Sequence, residues 1–366
     1  MNVDTISNVL EEFAPAALAC EWDNVGLLVG DPAAEVSRVL FCIDLTEAVL
    51  DEAIERGCEM VMAYHPVIFR GIKSVTPASA PVVFRAMQHG IAIHSMHTAL
   101  DVAAGGTNDV LAEVVGLSQS QPLEPVPAPP ECKLVVFVPR DAVESVSAAA
   151  FSAGAGRIGT YRECSFTSEG VGTFYGEEGS APAIGEAQTA QRVPEIRIEM
   201  ICPVSAVDSV QAAMTAAHPY ETPAVDVYPL QPQMAPLGMG RIGTLDSPTS
   251  LSTMVDRIKA ALGVEHVLLG EPAGGARELS RVAVAAGSAG DSFRAAMAAG
   301  AELYLTGEMR HHDVLAATGA GMAVVCVCHS NSERVTLAKL TQVLAPQLAP
   351  VELLVSSACR DPFTIV

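Results

Sequence analysis

The feature that most limits what this chain can fold into is a rhythm of short apolar runs and amphipathic segments. SRVLFCIDL (Ser37 to Leu45) has the β-branched and apolar content of a strand, and EAVLDEAIERG has helical periodicity and a closing Gly57. CEMVMAY is a second strand, PVVFRAMQHG a second helix, and IAIHSMH a third strand ending at His97. Strand, helix, strand at this spacing predicts βαβ units and a mostly parallel sheet. The last third repeats the pattern, with strands in RVAVAAG, ELYLTGE, MAVVCVCH and VELLVSS separated by helical segments.

One region breaks the rhythm. SQSQPLEPVPAPPE, from Ser118, is rich in proline and polar residues, and YPLQPQMAPLGMG, from Tyr228, is similar; both read as extended linkers. Between them the pattern is strand, helix, Gly-rich hairpin, strand, helix, strand, the ferredoxin-like βαββαβ order. The expectation is α/β: two βαβ-built halves, residues 1–127 and 234–366, forming one α/β unit interrupted by a ferredoxin-like insert over residues 128–233. A chain of 366 residues is long enough for this, since it exceeds one ordinary core.

Bulk properties exclude several classes. A net charge of −21 argues against a nucleic-acid surface, which needs clustered Lys and Arg. No apolar run reaches the ~20 residues of a membrane span, and the acidic N-terminus MNVDTISNVLEEF lacks the basic start of a signal peptide. Nine cysteines, all but Cys326 and Cys328 scattered singly, fit neither a zinc CxxC pair nor a secreted disulfide framework. Reduced thiols in the cytoplasm are the expectation, and the acidic charge is compatible with a soluble enzyme without naming a partner.

In open parallel sheets, ligands gather at the carboxyl ends of the strands. Four ends here carry chemistry: Tyr64-His65; His97, followed by Asp101; Thr306-Gly307-Glu308, followed by His311 and His312; and His329, followed by Glu333. Pro66 fixes the turn after His65. His329 and Glu333 are spaced i, i+4 and project from one helix face. Imidazole with carboxylate suits Zn, Fe or Mn, and a carboxylate can bridge two cations. One lone histidine is ordinarily just polar; several converging with carboxylates favour a metal site.

Weaker signals have bland readings beside them. Gly287, Ser288 and Gly290 could cradle a phosphate at a helix N-terminus or simply form a tight turn. Trp22-Asp23-Asn24 before Val25-Gly26 reads as a turn with a packing tryptophan. His94 and His97 face opposite sides of their strand, which leaves His97 as the site candidate. His218-Pro219-Tyr220-Glu221 reads as a structural turn of the insert.

EWDNVGLLVGD, YHPVIFRGIKS, HTALDVAAGGTNDVLAE, GSAGDSF, YLTGEMRHHD and HSNSE, in that order along the whole chain, resemble the NGG-interacting-factor-three-like proteins, the GTP cyclohydrolase 1 type 2 homologues. GAGRIGTYRECSF, GVGTFYG and HPYETPAVDVYPL resemble the CutA/PII-like insert of the long members. The resemblance implies one or two divalent cations (Zn, Fe or Mn) held by His65, Asp101, His329 and Glu333, with Glu333 touching both. It also implies toroidal homohexamers with sites facing an internal cavity. Members usually carry His-His-Pro where this chain has Tyr64-His65-Pro66, so a phenol stands in for one ligand of the second ion. The expected activity is metal-dependent hydrolysis of a nucleotide or other phosphate-bearing small molecule, without nucleic-acid or membrane partners. His97 or His312 would shuttle protons and Glu308 would orient substrate. The rival expectation is metal storage or delivery, with the insert as a sensory module.

Overall fold

The structure is a computed structural model that describes residues 1–274, 278–289 and 291–365. The chain divides into two compact units, one formed by Met1–Val126 with Pro236–Val366 and the other by Pro127–Ala235.

The first unit holds a five-stranded and a six-stranded sheet. In the five-stranded sheet the order is Gly26–Val29, Ala92–Ser95, Met60–Ala63, Arg38–Cys42, Glu352–Val355. All neighbours are parallel except the first pair. Every residue of Met60–Ala63 and of Ala92–Ser95 is buried, as expected for strands covered on both faces. The last strand, Glu352–Val355, lies beside Arg38–Cys42. The C-terminal half thus contributes an edge to the sheet of the N-terminal half, and the two halves share one sheet.

The six-stranded sheet runs Leu268–Gly270, Ala323–Cys326, Leu303–Thr306, Glu278–Ala285, Met234–Ser250, Leu117–Pro127. Its middle strands are parallel and its flanking pairs antiparallel. Here the linker reading is corrected. Leu117–Pro127 and Met234–Ser250 are strands. Leu117–Pro127 forms the sheet's edge, where a proline loses no ladder hydrogen bond if its missing N–H faces outward.

The second unit has the element order strand (Glu131–Val138), helix (Val143–Ser152), strand (Phe166–Tyr175), strand (Ala190–Pro203), helix (Val207–Ala217), strand (Val225–Pro229). Its sheet is antiparallel throughout. Alternate residues Cys132, Leu134, Val136 and Val138 join Ile198, Met200, Val146, Val210 and Met214 in a core of its own. Among the described residues, no helix is long and apolar enough to cross a membrane.

Candidate metal centre

The carboxyl ends of both parallel strand sets in the first unit open onto one cavity of about 600 Å³. His65 follows the strand Met60–Ala63, while His329 and Glu333 occupy the first turns of the helix His329–Leu348. Glu333 Oε1 lies 3.2 Å from His329 Nε2, and Oε2 lies 3.4 Å from His65 Nε2. The two imidazole rings are 5.2 Å apart, centroid to centroid. Each carboxylate oxygen therefore faces a different histidine.

Each imidazole is turned by a second carboxylate. His65 Nδ1 is 2.9 Å from Asp44 Oδ1, and His329 Nδ1 is 3.0 Å from Glu308 Oε1. Such partners fix the ring so that Nε2 points at the centre. Burial lowers the proton affinity of His65, but Asp44 and Glu333 outweigh it and raise its pKa to about 10. Glu333 raises His329 to about 9 against a smaller effect of burial. Burial favours the neutral form of Glu333, yet the two imidazoles hold its pKa below the usual value.

Glu333 is 3% exposed and its Oε2 has no hydrogen-bond donor. A buried carboxylate oxygen without a donor is costly. Together with one ligand atom each from His65 and His329, all within 4.8 Å of one another, it forms a donor set that fits a divalent ion.

The other sequence candidates fall in different places. Tyr64 is fully buried; its hydroxyl donates to Asp101 Oδ1 and lies 3.0 Å from Thr107 Oγ1. Burial and the nearby charges of Asp101 and Glu333 push the phenol well above its ordinary pKa, so Tyr64 stands as a neutral donor to Asp101. Burial also lifts Asp101 to about 6. Asp101 lines the cavity but lies outside the His65, His329 and Glu333 cluster. His97 lines the cavity, with Nδ1 2.7 Å from Asp23 Oδ1, which leaves Nε2 as its free nitrogen. Glu308 is bonded to His329. His312 is exposed on the first turn of the helix His311–Gly319, its ring against His311, and is not among the cavity-lining residues.

Sequence reasoning passed over Asp44 and read Asp23 only as part of a turn; their contacts with His65 and His97 appear when distant segments meet. Asp23 is held near a pKa of about 2, because bonds from His97 and Thr98 outweigh its burial. A signal for Asp44 was present, since it too follows a parallel strand at its carboxyl end. Two backbone strains flank the centre: among the described non-glycine residues, His97 (φ 29°) and Cys328 (φ 69°) are among those with positive φ. Such strain concentrates at functional sites. Of the proposed phosphate loop, Gly287 and Ser288 line the cavity, and Gly290 lies outside the described residues. In the second unit, His218 is bonded at both nitrogens, to the Phe137 carbonyl and the Tyr220 amide.

A family model for Duf34/NIF3 (NGG1p interacting factor 3) matches residues 1–362. The chain belongs to this family. It is 39% identical over 369 residues to the GTP cyclohydrolase 1 type 2 homolog of Mycobacterium tuberculosis, covering 98% of this chain and 96% of that one. The Bacillus subtilis protein of the same name is 37% identical, covering 100% and 99%. The crystal structure of a Bacillus cereus protein related to NIF3 superposes with a TM-score of 0.80 at 36% identity, covering 100% and 99%. Within the Duf34/NIF3 family, this chain's His65, His329 and Glu333 form the group that could hold a metal.

Proposed function

We propose that this Duf34/NIF3 protein is a divalent-metal-dependent hydrolase acting on a nucleotide or another phosphate-containing small molecule. The observation that carries this reading is the convergence of His65, His329 and Glu333, with an unsatisfied Glu333 Oε2, on a cavity large enough for a metabolite. When bound, a divalent cation supplies Lewis-acid charge that polarises a substrate oxygen and makes water acidic near neutral pH. His65, His329 and Glu333 would hold it, and Asp101, bonded by the buried Tyr64 hydroxyl, lines the same cavity. Asp44 and Glu308 keep the two imidazoles aimed. His97, held at Nδ1 by Asp23, presents Nε2 to the cavity as the group that takes up or returns a proton. Glu308 acts through His329 as a positioning residue.

The reading includes residues 127–235 as a CutA/PII-like, ferredoxin-like insert. It also includes a cytoplasmic homohexamer with the sites facing an internal cavity, which light scattering on purified protein checks. The test of function is turnover of GTP, cyclic dinucleotides and simple phosphodiesters by protein reconstituted with Zn, Fe or Mn. Glu333→Ala should abolish both the bound metal and the activity. Turnover that survives loss of the metal overturns the reading.

A second reading, metal storage or delivery, is favoured by one observation: Tyr64 stands where the family resemblance expects a histidine, and its hydroxyl is engaged by Asp101. A donor set short of one ligand releases its ion more easily. Reversible metal uptake with no turnover on any of these substrates would select it.

A further inference from the structure

The segment Trp22-Asp23-Asn24 has one residue whose task the metal centre does not absorb. Asp23 orients His97 and caps Thr98, whose N–H and Oγ1–H both donate to Oδ2, at 3.1 and 2.5 Å. Asn24 Nδ2 donates to the Ile68 carbonyl at 2.5 Å, which ties this segment to the one bearing Phe69. Trp22, the chain's single tryptophan, makes no comparable commitment. It is 60% exposed rather than packed in a core, and Phe69 beside it is 47% exposed. An exposed single apolar residue is ordinary, but two large aromatics held side by side on a cavity wall are not.

Both rings line the cavity that holds His65, His329 and Glu333. Trp22 and Phe69 are 5.8 Å apart, and each faces His97, at 5.9 and 6.5 Å. His97 is in turn 5.2 Å from His65. A line of rings thus leads from the exposed aromatic pair to the candidate metal ligands. Aromatic side chains take up planar partners at centroid separations of roughly 4.5–7 Å, stacked or edge to face; Trp22 and Phe69 are both exposed and tilted by 55° to each other, so a planar ring stacked on one meets the other at an angle.

We infer that Trp22 and Phe69 form a stacking wall for a planar heteroaromatic ring, so that the substrate class is a ring-bearing phosphate compound such as a nucleotide. The ring rests on Trp22 and Phe69 while the group to be cleaved reaches past His97 to His65, His329 and Glu333. Asp23 and Asn24 set the wall's position by bonding to the segments that carry His97 and Phe69. This specificity role rests on the hydrolase reading for the identity of the reacting end, but ring capture requires no turnover.

The single tryptophan makes the test direct, because emission excited at the red edge of the aromatic band, where the six tyrosines do not absorb, reports only position 22. GMP and CMP, each titrated into the full-length protein, serve as ring-bearing probes, with ribose 5-phosphate as the ring-free control. A nucleotide should quench Trp22 saturably and ribose 5-phosphate should not. By calorimetry, Trp22→Ala and Phe69→Ala should each weaken nucleotide binding roughly 5- to 150-fold, the range of one lost base-stacking contact. Trp22→Phe should restore most of it. Metal content and thermal unfolding of the variants should match the parent, since neither ring is in the ligand set or a core. Failure of both nucleotides to quench, equal binding of ribose 5-phosphate, or undiminished binding by Trp22→Ala overturns the wall. Saturable, Trp22-dependent binding without turnover in any metal form upholds the wall and overturns only the hydrolase reading.

Discussion

Tyr64 donates its hydroxyl proton to Asp101 from a fully buried position, and this fixes what the residue can do. A phenol must ionise before it ligates, and burial beside two carboxylates opposes that. An imidazole coordinates without losing a proton it normally holds. Tyr64→His should therefore raise the number of ions bound per chain at neutral pH, as read by elemental analysis after dialysis against Mn or Zn. Unchanged stoichiometry would mean that Tyr64 does not limit how many ions the chain takes up. Tyr64→Phe should keep the metal of the His65, His329 and Glu333 group but cost about 1–3 kcal/mol of stability, because Asp101 loses its donor.

His94, on the strand Ala92–Ser95, is 3% exposed and its Nδ1 has no partner. Burial depresses its pKa from 6.5 to about 4. Its neutral form is therefore favoured by folding, and the associated stability is fully present above pH 6.5. That stability is lost as pH falls from 6.5 toward 4, where the unfolded chain binds a proton that the folded chain refuses. The difference corresponds to about 3 kcal/mol. His94→Leu should remove this part of the acid sensitivity. Urea-unfolding free energies of parent and variant across pH 4–7 that run parallel would refute it.

At the scale of elements, the turn between the strand Glu278–Ala285 and the helix Ser292–Ala298 shows how closely backbone approaches the centre. Gly287 has φ +66°, and a Cβ there would sit 2.7 Å from Glu333 Oε1 and 3.3 Å from His329 Nε2. Its N–H donates to Ser332 Oγ at 2.8 Å, and its carbonyl accepts from Glu308 N at 3.1 Å. Gly287→Ala should lower metal content and cost at least the ~1–2 kcal/mol of a left-handed L-residue. Equal metal content in the variant would show that Glu333 is free to move aside.

The strands around this turn were legible because central parallel strands are continuous apolar runs, and the chemistry at their ends stood out against that background. The prolines of Leu117–Pro127 hid a strand, since proline forbids a central strand but not an edge, and nothing local says which strand will be the edge. Asp44 and Asp23 were hidden for another reason. Their partners His65 and His97 lie 21 and 74 positions away, and such pairings follow from sheet order, which residue types do not encode. Trp22 looked like a packing residue because a large aromatic beside a turn usually is one.

For the whole molecule, the division into units separates the candidate chemistry from the second unit. His65, His329 and Glu333 all belong to the first unit, and the second has its own buried core. Replacing residues 130–229 with a short Gly/Ser bridge should leave metal binding and the melting of the remaining unit close to the parent values. A metal-free product that still folds, by circular dichroism, would show that the second unit helps to build the centre.

The pairing of Glu352–Val355 with Arg38–Cys42 also governs the order in which the molecule can be made. Arg38 Nε meets Glu352 Oε2 at 2.9 Å across 314 positions of sequence. On a ribosome adding roughly 5–20 residues per second, the apolar edge Val39-Leu40-Phe41 waits on the order of 15–60 s for its covering strand. An open strand edge of that kind invites pairing with a neighbouring chain. The newborn N-terminal sheet is thus exposed along this edge, and its protection falls to whatever binds nascent chains, until Glu352–Val355 emerges and closes it.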